Sequence, residues 1–233
     1  MNCYELPLQL RAEHVDQFRR LRPSVLMRLF QECCIAHTEQ LGMGRKMTLD
    51  RGFLWVITSV RYVVTRWPSY DEKIVLRCYP GTTLHYFFPR HLEVIDEKGE
   101  VIIRATGIWT LIDETSRDFI DPKENGIHIE GEETGNELAP AMSIPMPPLG
   151  LSQTLHATYS LVDINGHVNN AKYMDFLCDL VEQDDLESKV IKEFSFCFKK
   201  EIQYGESIEI KWGKSANDYF AYCPNFSAKI RLI

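Results

Sequence analysis

Residues 162–177 read VDINGHVNNAKYMDFL, and residues 15–30 read VDQFRRLRPSVLMRLF. Laid one over the other without a gap, at an offset of 147 residues (162 − 15), they agree at the positions that matter for packing. Val15 and Asp16 fall on Val162 and Asp163, Leu21 on Val168, Leu26 on Tyr173, Met27 on Met174 and Phe30 on Leu177. A second gapless match follows in the same order. Residues 57–78, ITSVRYVVTRWPSYDEKIVLRC, lie over residues 191–212, IKEFSFCFKKEIQYGESIEIKW, at an offset of 134 (191 − 57). Apolar positions coincide, and Tyr70 meets Tyr204. Two such matches in one order read as an internal duplication.

Each copy then has the same grammar: a short strand, a helix and a series of strands. The first helix is expected from Pro23 to Leu41. Proline suits a first helical turn, Val25, Leu26, Leu29, Phe30, Cys33 and Cys34 recur at helical spacing, and Gly42 and Gly44 stop it. Alternation and β-branched content predict strands in FLWVITSVRYVVTR, EKIVLRCYP, HYFFPRHLEVID and EVIIRATGIWTLID, with a hairpin turn at DEKGE. The second copy predicts a helix near Asn170–Val181 and strands near 191–202, 207–212, 218–222 and 228–232. Between the copies, DPKENGIHIEGEETGNELAPAMSIPMPPLG is acidic, then proline-rich, and reads as a surface linker. The expected division is residues 1–120, a linker at 121–150, and residues 151–233. The expected class is α+β: two tandem repeats, each a long helix wrapped by an antiparallel sheet, a double hotdog.

The stretch DINGHVNN places one carboxylate, three asparagines and one histidine in eight positions. Turn formation and capping explain one or two of them. If the segment is extended, Asp163, Asn165 and His167 point the same way, beside a helix N-terminus whose free amides suit an oxyanion. Their counterparts Asp16, Phe18 and Arg20 keep the grammar without Asn or His. The second copy therefore reads as the chemical one and the first as a binding and packing copy. Glu201 ends the strand FSFCFKKE, on the phase opposite to Phe194, Phe196 and Phe198, and by itself reads as a solvated charge.

Composition limits the alternatives. The chain has 233 residues and a net charge of −7, which argues against nucleic acid as a general partner. No apolar run approaches the roughly 20 residues that span a bilayer. Neither a signal peptide nor a basic transit peptide is read at the start, so a cytoplasmic protein is expected. The seven cysteines include no CxxC pair and suggest neither a disulfide framework nor a metal knuckle.

DINGHVNNAKYMDFL resembles the D-x-N-x-H-V-N-N-x-x-Y motif of the acyl-acyl carrier protein thioesterases, and FKKEIQYGESI resembles that family's Y-R-R-E-C-x-x-D-S segment. LRPSVLMRLFQE, FLWVITSVRY, the RWP turn and ATGIWTLID are similar to its N-terminal half. The resemblance implies a bacterial-type double-hotdog enzyme that hydrolyses the thioester between a fatty acyl chain and carrier-protein phosphopantetheine, without a metal or organic cofactor. It implies Asp163, Asn165, His167 and Glu201 as the catalytic set. Where many members carry cysteine after the glutamate, this chain has Ile202, so no cysteine nucleophile stands there. An apolar tunnel is expected from Leu26, Leu29, Phe30, Trp55 and Trp109, with Asn169 and Asn170 also on the substrate. The implied partner, acyl carrier protein, is acidic, so docking is expected on Arg19, Arg20, Arg22 and Arg28 or on Lys199 and Lys200. A homodimer is a possible assembly. The rivals are a single-hotdog acyl-CoA thioesterase, whose D-x-x-G-H-V-N-N-like signature Asp163–Asn170 also fits, and a non-catalytic acyl-binding protein.

Overall fold

The computed structural model describes residues 2–233. In chain order the elements are β1 (Tyr4–Gln9), α1 (Pro23–Gln40), α2 (Arg45–Asp50), β2 (Phe53–Val64), β3 (Lys73–Pro80), β4 (Phe87–Asp96) and β5 (Val101–Asp113). After a long irregular segment come β6 (Leu151–His156), α3 (Lys172–Asp179), α4 (Gln183–Ser188), β7 (Ile191–Phe198), β8 (Ser207–Ser215), β9 (Asp218–Tyr222) and β10 (Phe226–Leu232). The ten strands make one sheet, ordered β1-β3-β4-β5-β2-β7-β10-β9-β8-β6. Each half contributes five strands, and the second half repeats the order of the first in mirror sequence across the β2–β7 join.

The two gapless sequence matches fall on equivalent hydrogen bonds. The bridge Val15–Leu21 corresponds to Val162–Val168, and Arg20–Ser69 corresponds to His167–Gln203. The Leu21 N–H donates to Pro68 O as the Val168 N–H donates to Ile202 O, and Tyr70 to Arg19 O as Tyr204 to Gly166 O. At the join, Arg61 faces Ser195, its own counterpart at the offset of 134, and the pairs Ser59–Cys197 and Val63–Glu193 flank it symmetrically. Tyr62 stacks on Phe194 there, with ring centroids 4.3 Å apart.

α1 lies on the sheet because its apolar stripe, Leu26, Met27, Phe30, Cys33 and Cys34, is buried against it. Gly107 permits this approach: a Cβ there would stand 3.2 Å from Phe30 Cε1.

The expectation of a long helix in each half is corrected for the second. α1 has 18 residues, whereas α3 has eight and is followed by a separate six-residue α4. The Tyr219 hydroxyl explains the break. It accepts the Glu182 N–H, which a continuous helix would give to the carbonyl four residues back, and donates to Asp185 Oδ2 at 2.8 Å. α2, absent from the sequence reading, occupies the stretch after Gly44.

The segment between β5 and β6 carries no helix or strand, yet it is not simply draped over the surface. Ile127 and Ile129 are buried in a cluster with Phe53, Phe88 and Leu111. Thr134 and Asn136 both donate to Glu93 Oε1, whose other oxygen meets Arg77.

Asp185 gives a pH-dependent test of this packing. Donors from Lys214, Lys189 and Tyr219 hold its carboxyl well below the usual carboxylate range. A depressed folded value means that the contribution is complete above the unfolded value of about 3.9 and is lost as pH falls below it. Asp185→Asn is expected to destabilise the fold by about 2 kcal/mol at pH 7. The deficit should shrink at pH 3, as read from urea midpoints of both proteins at the two pH values.

Candidate active site

The stretch 163–167 is a turn, not an extended strand, which corrects the premise that its alternate side chains share one face. Asp163 Oδ1 accepts the Asn165 N–H, Asp163 O accepts the Gly166 N–H, and the Asp163 N–H returns to His167 O. Gly166 takes φ +78, the left-handed conformation that glycine adopts at no steric cost. Its counterpart Arg19 sits at φ +62, and Asp16 Oδ1 accepts the Phe18 and Arg20 N–H groups. The aspartate thus builds the same turn in both halves, and the histidine and Asn165 are what the second half adds. Asn169 Oδ1 accepts the Ala171 N–H at the start of α3, and its Nδ2 lies 3.4 Å from Asp163 Oδ2.

Glu201 reaches this turn because β7 ends early. After Phe198, the Lys199 and Lys200 N–H groups both converge on Asn225 O, and Asn225 Nδ2 donates to Glu201 O at 3.0 Å. The chain turns there, and the following Ile202, fully buried, takes the Val168 N–H. The segments 167–168 and 201–203 are zipped together, so His167 Nε2 stands 3.4 Å from Glu201 Oε2. Arg117, in the turn after β5, pairs with the other oxygen of Glu201. Glu201 is therefore a shared partner of a histidine and an arginine, not a solvated strand-end charge. Arg117 and Asn225 were not found in the sequence. Each stands far along the chain from Glu201, and nothing local marks either one.

His167 and Glu201, 22% and 36% exposed, line a cavity of about 310 Å³. Asp163, Asn165 and Asn169 line it with them. The rest is walled by α1, α2, Leu54–Val56, Phe88, Arg90 and Trp109. Of the expected tunnel residues, Trp55 and Trp109 line it. Phe30 and Asn170 instead line a neighbouring water-sized void of about 10 Å³, which shares the Trp109 wall. Leu26 is fully buried in the core, and Leu29 packs against that core. Neither belongs to the lining described.

The neighbouring thiols are unsuited to nucleophilic work. Cys197 is buried against Ala141 O, and burial pushes its thiol up. Among the described residues, no group of three or more His, Cys, Asp or Glu is arranged to hold a metal ion, and no helix is long and apolar enough to cross a membrane.

A histidine and a glutamate thus face each other at a cavity of about 310 Å³, on an α+β scaffold with one continuous antiparallel sheet. The chain belongs to the acyl-ACP thioesterase family. Residues 2–125 match the model of the acyl-ACP thioesterase N-terminal domain, and residues 150–223 match that of the C-terminal domain. The chain is 22% identical over 222 residues to the chloroplastic acyl-acyl-carrier-protein hydrolase FATB3 of Cuphea viscosissima, covering 86% of this chain and 52% of that one. It is 24% identical over 211 residues to the chloroplastic dodecanoyl-acyl-carrier-protein hydrolase of Cinnamomum camphora, covering 82% and 54%. The chain thus spans about half the length of the curated relatives it matches. Among solved structures, an acyl-ACP thioesterase from Bacteroides thetaiotaomicron shares the fold at a TM-score of 0.82 and 21% identity, covering 100% of this chain and 98% of that one. The 12:0-ACP thioesterase from Umbellularia californica does so at 0.85 and 18%, with the same coverage.

Proposed function

We propose that the protein hydrolyses the thioester of a fatty acyl chain on acyl carrier protein and releases the free fatty acid. The observation that carries this reading is the His167–Glu201 pair in the 310 Å³ cavity walled by Trp55, Phe88 and Trp109. Glu201 Oε2 stands 3.4 Å from His167 Nε2, placed to stabilise positive charge that develops on the ring. His167 then removes a proton from water as the oxygen attacks the acyl carbon. The same proton passes to the departing thiolate as the C–S bond breaks. Arg117 pairs with the second oxygen of Glu201. Asn165 holds the water or the thioester carbonyl, and Asp163 orients the turn that carries both. The Val168 and Asn169 N–H groups are taken by Ile202 O and Leu161 O. Of the three amides considered for the oxyanion, Asn170 is the one left to serve.

In the tandem hotdog reading, residues 1–120 hold the chain and residues 151–233 supply the chemistry, with residues 121–150 between them. What supports it is the shared strand order and hydrogen bonding of the halves. Lys199 and Lys200, exposed and next to Glu201, form the docking patch for the acidic carrier. Arg20 is less suited, because Asp16 and the Leu186 and Lys189 carbonyls engage it. The seven free thiols favour a reducing compartment such as the cytoplasm.

The test is fatty acid release from acyl-carrier proteins and matching acyl-CoAs, from about C4 to C18. Carrier-protein esters are expected to turn over well above the CoA esters. A preference for CoA would move the assignment to an acyl-CoA thioesterase, and binding without turnover to an acyl-binding protein. A single turnover in oxygen-18 water is expected to leave no label in the enzyme. Label in Asp163 or Glu201 would instead mean an acyl anhydride on that carboxylate.

Arg117→Met is expected to lower catalytic efficiency about tenfold, because Glu201 loses the partner of its second oxygen. Steady-state kinetics of the two proteins check this.

A further inference from the structure

Away from the His167–Glu201 pair the charged lining of the cavity comprises Glu32, Glu39 and Arg45, all exposed, and one buried group. Arg90 on β4 is that group, only 3% exposed. Its Nη1 donates to His37 Nδ1 at 3.0 Å and its Nη2 to Thr38 Oγ1 at 2.7 Å. His37 Nε2 in turn faces Asn2 Oδ1 at 3.1 Å, and Thr38 gives its own proton to Cys34 O. Neither partner of Arg90 is a carboxylate. Among the described residues, no carboxylate stands within ion-pair distance of the guanidinium.

A buried cation without an anion is costly. A chain ending in a methyl group offers Arg90 no acceptor. A site with buried polar groups rejects the analogue that leaves them unpaired.

We infer that the part of this cavity beside Arg90 is a subsite for an acyl chain whose distal end bears an oxygen acceptor, a carboxylate foremost, seated on Arg90. The inference rests on the thioesterase reading of the same site. Its length follows from α1. Gln31 lies beside Asn170 and Ala171, and Thr38 holds Arg90, seven residues further along. At 1.5 Å per residue the span is about 10 Å. An extended chain covers about 3.5 Å in three bonds, so the span takes about eight carbon atoms.

Two non-hydrolysable probes test this: pantetheine amides of octanoic acid and of the eight-carbon dicarboxylic acid, the latter with one carboxyl free. The wild-type protein is expected to bind the carboxylate-ended amide at least tenfold more tightly by calorimetry. Arg90→Met is expected to reverse the order and Arg90→Lys to keep it. Wild-type preference for the methyl-ended amide overturns the subsite without need of any variant. So does an Arg90→Met protein of unchanged melting behaviour that keeps the wild-type order. The corresponding acyl-carrier-protein esters separate this from the activity itself. If the carboxylate-ended amide binds through Arg90 but neither ester is hydrolysed, the thioesterase reading fails and the subsite stands. If octanoyl-carrier protein is hydrolysed in preference and Arg90→Met leaves that preference unchanged, the activity stands and the subsite falls.

Discussion

His167→Ala is expected to lower kcat for acyl-carrier-protein hydrolysis by about 10²–10⁴-fold while leaving KM within a few-fold of wild type. The asymmetry follows from geometry. His167 lines the cavity against Glu201, whereas the aromatic wall that would bind the chain is made by Trp55, Phe88 and Trp109. Removing the imidazole removes the proton acceptor and leaves the wall. Glu201→Gln should cost less, because an amide still holds the ring in place but no longer stabilises the imidazolium. Steady-state kinetics on one acyl-carrier-protein ester decides between these outcomes. A His167→Ala enzyme with near-wild-type kcat would remove the histidine from the reaction and leave Glu201 as the base. The internal repeat supplies a control. Arg20 occupies the position equivalent to His167 and is engaged in structural contacts. Arg20→Ala should therefore affect stability before it affects kcat.

Phe194→Ala is expected to destabilise the protein by about 3–5 kcal/mol, roughly a 10 °C fall in Tm for a chain of this size. Phe194 is fully buried on β7 and stacks on Tyr62 of β2, across the one strand pair that joins the two five-strand halves. Truncation leaves a ring-sized void that neither strand can close without slipping the register in which Arg61 faces Ser195. Because the void lies at the join, both halves should melt together earlier. Differential scanning calorimetry reads this directly. A variant that splits into two transitions, with one half unaffected, would mean that the halves hold their own cores and the join contributes little.

The sequence by itself determined more than its low internal identity suggests. Periodicity located the strands, proline and glycine bounded α1, and the offsets of 147 and 134 assigned partners whose backbone hydrogen bonds are the same in the two halves. These features are legible because each is a short-range consequence of residue type: a repeat of two or 3.6, a turn aspartate, a residue forced to positive φ. The tertiary structure alone decided the rest. α3 stops because a tyrosine from β9 takes its next N–H. Glu201 meets His167 because Asn225, on the turn into β10, pulls the end of β7 aside. Arg117 joins them from the other half of the chain, and Arg90 brings a buried guanidinium to the cavity wall. None of these meetings has a local signature, because each depends on which segments the sheet order brings side by side, and hydrophobic pattern fixes the face a residue occupies but not the neighbour it will find there.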